Sequence, residues 1–367
     1  MTMLNDLEKS ILRIIKEQKE ISRIDISRLL GVNKPVVSLV VSKLISLGYV
    51  REIGKKEFSP KSGRKPILLT FVPDSKFVIG VDIGGTKIEV ILTDLAGNIL
   101  KRKCSPLQGT ERKEELLTSL VSLVQSFFTE VKREKVLGVG IGIPGTVDEN
   151  FVIKRLPAFG IVDWEAKTEL EEILELPVFL ENNANLDALA ESKIGAGRGY
   201  KCVLLISIGW GIGAGIVYDG KIFRGSRGKA GEFGHIVTDW EREKTSTPKI
   251  GFGRLERWFS GLTLAEEYKK PTQQVFEEDF ESLMERIEHL SIAIANAVVL
   301  LNPDVIIIKG GIGLNQYEKI APMIISILQD VVPRDLLEDV NLKKGEIIES
   351  GVSIGGVLLT VEKILGL

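Results

Sequence analysis

Apolar positions in the first fifty residues recur at the spacing of amphipathic helices. The first helix is predicted over residues 4–18, where one face carries Leu4, Leu7, Ile11, Ile14 and Ile15. A second, short helix is predicted from Ile24 to Leu30 and ends at Gly31. A third begins after Asn33, a potential N-cap, and tolerates Pro35 because an N–H in the first turn has no helical partner to lose. Its buried stripe is predicted to be Val37, Val40, Val41 and Leu44.

A β-hairpin is predicted after these helices, so that residues 1–72 follow the order of a winged helix-turn-helix domain. Gly48 ends the third helix, Lys61-Ser62-Gly63-Arg64-Lys65-Pro66 forms a basic turn, and an apolar strand starts at Ile67. The alternative is a small helical bundle used for dimerisation. The basic turn favours DNA.

The N-terminal end of the third helix is the expected DNA-reading element, because recognition helices enter the major groove by that end. Its solvent-side candidates are Asn33, Lys34, Val36, Ser38 and Ser42. At the hairpin, Arg64 and Lys65 would reach phosphate or the minor groove. Together with Lys34 and Lys43, these charges predict salt-dependent binding, since each neutralised phosphate releases a counterion.

Charge separates the front of the chain from the remainder. Residues 1–70 carry 14 Lys and Arg against 7 Asp and Glu, whereas the other residues carry 34 against 43. A basic head on an acidic body indicates that the head alone meets a polyanion.

Composition argues against several other classes of protein. The two cysteines, Cys104 and Cys202, lie far apart, which argues against a disulfide framework and suits the cytosol. The first residues lack the basic-then-apolar pattern of a signal peptide, and no apolar run reaches the roughly 20 residues that span a bilayer. We therefore expect a cytoplasmic protein without a membrane partner.

From residue 75 onward, short apolar strands alternate with helical patterns, which indicates α/β lobes. A short polar joint, Val72-Pro73-Asp74, precedes the first of these strands. We predict an N-terminal lobe over residues 75–182 plus 352–367, and a C-terminal lobe over residues 183–351.

Three glycine-rich turns follow predicted strands, at residues 82–87, 209–215 and 309–313. Glycines let backbone N–H groups approach a phosphate closely, the Thr86 hydroxyl adds a donor, and Asp82 could hold Mg²⁺ through water. The candidates for a nucleotide phosphate site are Asp82, Gly84, Gly85, Thr86, Lys87, Gly209, Gly211, Gly310 and Gly311. The alternative for the first of these turns is a purely structural β-turn with glycines.

These motifs and their spacing resemble the ROK family, named for repressors, open reading frames and kinases. The resemblance covers nearly the whole chain and is carried by Asp82-Ile83-Gly84-Gly85-Thr86-Lys87, Gly142-Ile143-Pro144-Gly145-Thr146-Val147-Asp148, Glu181-Asn182, Ala230-Gly231-Glu232-Phe233-Gly234-His235 and Asn302-Pro303. It implies an α/β fold of two ribonuclease H-like lobes, as in actin-like ATPases and sugar kinases, with a sugar cleft between them. The winged-helix head resembles that of the family's repressor branch, which includes xylose repressors.

The resemblance also implies a set of sugar-contacting positions: Asn182, Glu232, His235 and Glu256. Mixed donors and acceptors of this kind suit a polyol. Beside them, Asn183 occupies the position of the family's catalytic aspartate. Its amide can hydrogen-bond a sugar hydroxyl but has no basic lone pair near neutral pH, so it cannot act as a general base. For His235 the alternative is a packed structural histidine.

The chain departs from the family pattern at three further places. Trp210 stands where kinases have a phosphate-contacting threonine, and Lys309 replaces the first glycine of the adenosine-side turn. Many members carry a cysteine-rich zinc loop after the histidine, whereas the segment from Thr238 to Ser260 contains no cysteine. Since a zinc site needs about four N or S ligands, we predict no zinc and no other metal site.

The sequence therefore favours a sugar-responsive transcription regulator that binds operator DNA as a homodimer, with a sugar effector between the lobes and no required cofactor. The first alternative is an ATP-dependent hexose kinase, acting on glucose or N-acetylglucosamine, with Mg-ATP on the retained phosphate turn. A second alternative is a sugar-binding scaffold without DNA function, which would leave the basic head unexplained. The identity of the sugar and the direction of its effect on DNA binding stay open.

Overall fold

A computed structural model describes residues 4–55, 66–239 and 253–367. The hairpin residues Arg64 and Lys65 lie outside these described residues. The chain forms an N-terminal head and two α/β lobes, which confirms the predicted fold class.

The head is a winged helix. Its elements are α1 (Asp6–Gln18), β1 (Ile21–Ser22), α2 (Arg23–Leu30), α3 (Lys34–Ser46), β2 (Val50–Lys55) and β3 (Ile67–Phe71). β2 and β3 form the wing, and β1 completes a three-stranded sheet in the order β1-β3-β2. The stripe predicted for α3 is buried, and Gly31 ends α2 in the left-handed conformation. Asn33 stands at the N-cap of α3, but its side chain makes no capping hydrogen bond, so that prediction was wrong in its detail.

Each lobe contains one five-stranded sheet. The first lobe has β4 (Phe77–Ile83), β5 (Lys87–Asp94), β6 (Ile99–Pro106), α4 (Lys113–Gln125), β7 (Val136–Ile143), β8 (Thr146–Val147), β9 (Ile153–Leu156), β10 (Ile161–Trp164), α5 (Ala166–Leu174) and β11 (Val178–Asn182). The second has α6 (Asn183–Ile194), β12 (Cys202–Ile208), β13 (Ile212–Tyr218), β14 (Lys221–Ile222), α7 (Arg254–Phe259), α8 (Gly261–Tyr268), α9 (Thr272–Glu278), α10 (Met284–Leu301), β15 (Val305–Lys309), α11 (Gly310–Asn315), α12 (Tyr317–Val331), α13 (Arg334–Leu337) and β16 (Asn341–Lys344). The chain ends with α14 (Gly351–Leu365).

The two sheets repeat one topology. The orders are β6-β5-β4-β7-β11 and β14-β13-β12-β15-β16, with three antiparallel strands followed by two parallel ones in each. Carboxyl ends of parallel strands meet at one edge of a sheet, which is where α/β proteins place their ligands. In both lobes glycine-rich turns lie at this edge, and in the first lobe the β11–α6 junction lies there as well.

The helix α14 returns to the first lobe and packs on β4 and β7 at very short range. A Cβ on Gly80 would lie 2.0 Å from the carbonyl oxygen of Ser353, and a Cβ on Gly140 would lie 2.0 Å from that of Gly356. Any side chain at either position would push the helix off the sheet. α14 also packs along α6, so it touches both lobes.

The head is fused to the first lobe by a shared hydrophobic core. Ile11 and Ile15 of α1 belong to one buried cluster with Val361 and Ile364 of α14. The Arg13 guanidinium also donates two hydrogen bonds, of 2.9 and 2.6 Å, to the carbonyl oxygen of Gly366. The head and the first lobe therefore share one continuous core, and residues 72–74 are not a free linker between them. The polar character of this joint gave no sign of that shared core.

Candidate functional site

A cleft of about 450 Å³ lies between the two lobes. Its walls come from the turns after β4, β7 and β11 on one side and from the β12–β13 hairpin and the segment around residue 232 on the other. The described lining residues include all the sugar-site candidates: Asn182, Asn183, Glu232, His235 and Glu256. They also include four of the glycines named for phosphate contact: Gly84, Gly85, Gly209 and Gly211.

Asn182 is held in place as the N-cap of α6. Its Oδ1 accepts the backbone N–H groups of Ala184, at 2.8 Å, and Asn185, at 3.4 Å. Its Nδ2 donates to the carbonyl oxygen of Gly145 at 2.8 Å. The cap fixes the start of the helix and leaves one amide hydrogen for a ligand.

Glu181, which precedes this cap, forms an ion pair that sequence reasoning missed. Its carboxylate is buried and accepts a 2.6 Å hydrogen bond from Nε of Arg224, a residue in the segment after β14. The same carboxylate accepts the backbone N–H of Asn182 and the side-chain amide of Asn185. Arg224 therefore ties the second lobe to the turn that presents Asn182 to the cleft.

The side-chain amide of Asn183 is occupied by hydrogen bonds within the protein. Its Nδ2 donates to Oδ1 of Asp82, at 3.1 Å, and to the carbonyl oxygen of Ile83, at 3.0 Å. Its Oδ1 is buried without a hydrogen-bond partner, and a Cβ on Gly142 would lie 2.6 Å from it. The amide thus braces the start of α6 against the end of β4, and a sugar hydroxyl would have to compete for it.

Asp82 lies in a group of carboxylates at the end of β4. Burial, and after it the charges of Glu89 and Asp187, raise the pKa of Asp82 to about 7, against the opposing effects of Lys87 and the Asn183 amide. Glu89 is itself paired with Arg102 at 2.6 Å and accepts from the Ser353 hydroxyl of α14. Because this pKa lies near neutrality, a cation held beside Asp82 would compete with a proton.

Glu256 and the Glu232–His235 turn form the wall of the cleft on the second lobe. The two oxygens of Glu256 accept the backbone N–H groups of Ile212, at 2.8 Å, and Gly253, at 2.7 Å. Burial raises the pKa of Glu256, although both bonds favour its charged form. His235 is exposed, with Nε2 at 3.8 Å from a carboxylate oxygen of Glu232. That exposure in a cleft argues against the packed structural histidine considered from sequence.

The phosphate-site candidates divide into two groups. Thr86 and Lys87 are exposed and follow Gly84 and Gly85, which line the cleft, but are not among its described lining residues. Gly310 and Gly311 are not among the described lining residues of the cleft. Gly310 has φ +79°, and a Cβ there would lie 2.5 Å from the carbonyl oxygen of Ile208, so the tight turn itself requires glycine.

The two substituted phosphate-side positions differ in burial: Trp210 is exposed and Lys309 is buried. The Trp210 side chain is 67% exposed and lines the cleft at the β12–β13 hairpin. The Lys309 side chain is buried and pairs with Asp187 and, at 3.2 Å, with Glu191, both on α6. Lys309 thus secures α6 against β15, a role that its place in a glycine-rich turn did not suggest.

On the head, the predicted DNA-reading residues share the outer side of α3. Asn33, Lys34, Val36 and Ser42 are exposed and Ser38 is partly exposed. Lys43, which was expected to contribute to phosphate binding, pairs with buried Glu8 on α1, at 2.6 Å between its Nζ and a carboxylate oxygen. Leu39, which the sequence reasoning did not select, is 73% exposed on this helix.

Within residues 4–55, 66–239 and 253–367, no group of three or more His, Cys, Asp or Glu side chains is placed to hold a metal ion. Over the same part of the chain, no helix combines the length and the apolar character that crossing a bilayer requires.

The ROK family model matches residues 78–361, which is most of the chain. The chain belongs to the ROK family. A second model, for a winged helix-turn-helix DNA-binding domain, matches residues 4–51. The ROK domain thus comprises the two lobes and most of α14, and the second match identifies the head as a DNA-binding domain.

Relatives within the ROK family include both regulators and kinases. The xylose repressor of Caldicellulosiruptor bescii is 31% identical over 337 residues, 84% of each chain. The glucokinase of Halalkalibacterium halodurans is 31% identical over 269 residues, which cover 65% of this chain and 81% of the glucokinase.

Solved structures divide in the same way. A ROK family transcriptional regulator, a homologue of the E. coli MLC protein, matches 97% of this chain and 98% of its own with a TM-score of 0.77 at 22% identity, which shows a shared fold. The ROK hexokinase from Thermus thermophilus, at 28% identity and a TM-score of 0.63, matches 99% of its own length but only 78% of this chain. The hexokinase therefore has no counterpart for about a fifth of this chain.

Proposed function

We propose that this protein is a sugar-responsive transcriptional repressor of carbohydrate-utilisation genes. The observation that carries the proposal is the winged helix, which shares one hydrophobic core with α14, the helix that packs on both lobes. The similarity to xylose repressors over most of the chain supports it. The head binds operator DNA and the cleft binds the sugar effector.

Sugar binding is proposed to close the lobes about the β11–α6 junction and the loop before α14. Closure would move α14 and the head that packs on it, which changes the spacing of two heads in a homodimer. Half-sites on duplex DNA mirror such two-fold symmetry, so a change in spacing alters DNA affinity. A coupling free energy of about 1–3 kcal/mol is ordinary for such a link.

The protein would act in the cytoplasm.

A hexose kinase is the second candidate, and one observation favours it. The first phosphate turn is intact, with Thr86 and Lys87 exposed next to Gly84 and Gly85 of the cleft wall, so Mg-ATP could still bind there. Against it, no base occupies position 183, and exposed Trp210 stands at the phosphate-side hairpin. We propose that the protein needs no cofactor and does not act as a kinase.

The regulator proposal predicts selective, salt-dependent DNA binding that Lys34→Ala weakens. Exposed Lys34 neutralises phosphate, so the variant should lower affinity on all sequences and reduce the slope of log Kd against log salt by about 0.9. Fluorescence anisotropy on the DNA upstream of the protein's own gene, against random duplex, measures both effects.

The matched control for Lys34→Ala is Lys43→Ala, since Lys43 pairs with Glu8 inside the head. It should lower the melting temperature of the protein and leave the salt slope unchanged. The regulator proposal fails if the wild-type protein does not prefer its upstream DNA over random duplex, with and without sugars.

Zinc is proposed to be absent, because a zinc site needs about four N or S ligands and the segment from Thr238 to Ser260 that follows His235 contains no cysteine. Elemental analysis should find no stoichiometric zinc in the purified protein, and a chelator should leave its melting temperature unchanged. One tightly bound zinc ion per chain would show that the ligand set has been misjudged.

A further inference from the structure

We infer that Leu39 is a specificity-determining residue that packs against thymine methyl groups in the major groove of the operator. The inference rests on the proposed DNA-binding function and adds the chemistry by which the head selects its site. The juxtaposition that carries it is a largely exposed apolar side chain on the outer face of α3, a helix that carries exposed Lys34 and no acidic residue.

The position of Leu39 on α3 places it opposite the core. Val37, Val40, Val41 and Leu44 form the buried stripe of this helix. At about 100° per residue, Leu39 and Ser42 point to the opposite side. Leu39 is 73% exposed, and Val36, one turn earlier on the same helix, is 39% exposed. Single exposed leucines are common, but this one lies on the face that a winged helix presents to DNA.

The hydrogen-bonding side chains nearest Leu39 in the sequence of the outer face are two serines, partly exposed Ser38 and exposed Ser42. The Ser42 hydroxyl donates to the carbonyl oxygen of Ser38 at 2.8 Å, so its proton is already used within the helix. The polar groups suited to base edges therefore concentrate in the first turn, where Asn33 makes no capping hydrogen bond and Lys34 is exposed. Beyond that turn the face offers apolar contact, and the C5 methyl of thymine is the apolar group of the major groove.

The charge around this face favours DNA over a protein partner as the occupant. The helix α3 contains no acidic residue, and of its two lysines Lys34 is exposed whereas Lys43 pairs with Glu8. Arg28 at the end of α2 has a side chain that is 76% exposed and lies 3.6 Å from a carboxylate oxygen of Asp25. An apolar patch with a cationic border complements a groove whose walls are phosphates and whose floor carries methyl groups.

The test removes only the methyl groups. An operator is selected from a random duplex pool with the full-length wild-type protein, and each thymine is replaced in turn by deoxyuridine. Kd is measured by anisotropy at fixed salt for the wild type, for Leu39→Ala and for Leu100→Ala, a control leucine that is 52% exposed on β6 of the first lobe.

At one or two thymines of each half-site, deoxyuridine should weaken wild-type binding about threefold to fivefold per methyl, the value of one buried carbon group. Leu39→Ala should bind the thymine operator more weakly by a similar factor and lose its discrimination between thymine and deoxyuridine at those positions. Leu100→Ala should behave as wild type. The melting temperatures of all three proteins should agree.

Three results would overturn the inference. If the wild type selects an operator but tolerates deoxyuridine at every thymine, Leu39 does not read methyl groups although the protein is a DNA-binding regulator. If Leu39→Ala changes the oligomeric mass and leaves thymine discrimination intact, the leucine belongs to a protein interface. If no operator can be selected at all, the proposed function fails together with the inference.

Discussion

With Mg-ATP and any sugar that it binds, the wild-type protein is expected to transfer phosphate about 10²–10⁴ times more slowly than sugar kinases, whose turnover is about 1–100 s⁻¹. The reason is that Asn183 offers no base and its two N–H groups are already bonded to Asp82 and Ile83. Sugars are first identified by thermal shift, with and without ATP, and ADP release is then followed in a coupled assay. Turnover at kinase rates in the wild type would show that the protein is a sugar kinase.

The variant Asn183→Asp supplies the missing carboxylate but places it about 3 Å from Asp82. We expect little catalysis from this change alone and more from the double variant with Trp210→Thr, which clears the phosphate side of the cleft. A gain larger than the sum of the two single effects is expected for groups that act as one unit. If the double variant is no faster than either single one, Trp210 does not obstruct the phosphate.

The stability of Asn183→Asp should depend on pH in a defined direction. The pKa of Asp82 is raised to about 7 in the folded protein, against 3.8 ordinarily, so the folded state binds more protons between these values and its stability falls as pH rises through them. A second carboxylate beside Asp82 enlarges that loss. The melting temperature of the variant should therefore lie further below wild type at pH 8.5 than at pH 5.5.

The control for this pH effect is Asn315→Asp, an exposed position at the end of α11, which should show no such dependence. Equal shifts of the Asn183→Asp melting temperature at both pH values would contradict the proximity of the two carboxylates.

Arg224→Met is expected to lower the free energy of unfolding by about 3–5 kcal/mol, because it leaves the Glu181 carboxylate buried without its cation. It should also weaken sugar binding, since Glu181 orients Asn182 and Asn185 through its other hydrogen bonds. Urea denaturation measures the first effect and calorimetric titration with the identified sugar measures the second.

Two further variants isolate the ion pair. Arg133→Met breaks the exposed pair with Glu175 and should cost only about 0–1 kcal/mol. Adding Glu181→Gln to Arg224→Met removes the unpaired charge and should recover part of the lost stability. Wild-type stability in Arg224→Met would show that the pair does not hold the two lobes together.

The head was predictable because its information is local. Helical periodicity located α1, α2 and α3 within one or two residues, and the side chains that face the core of α3 are those that its period predicts. The two-residue strand β1 was missed because it exists only through pairing with β3, 46 residues later. The position of Lys43 on the outer half of α3 gave no sign of Glu8, since that contact depends on how α1 crosses α3.

The candidate site was predictable as a set of positions and not as a set of contacts. Asn182, Asn183, Glu232, His235 and Glu256 do line one cleft. Their long-range hydrogen bonds were not foreseen, because each of these joins groups on two different elements. The amide of Asn183 reaches back 101 residues to Asp82, and Glu256 reaches across the lobe to Ile212.

By itself, the sequence determined the elements, the glycine turns and the α/β class, because these follow from local periodicity and backbone conformation. The two-lobed arrangement and the substitution at the base position were implied by the resemblance to the ROK family. Only the tertiary structure decided which charges are paired. It joins Glu181 to Arg224 and Lys309 to Asp187 across 43 and 122 residues, and it packs α1 against α14 at the far end of the chain. Burial makes an unpaired charge costly, so these distant partners must meet in the folded protein, yet nothing local in the sequence names them.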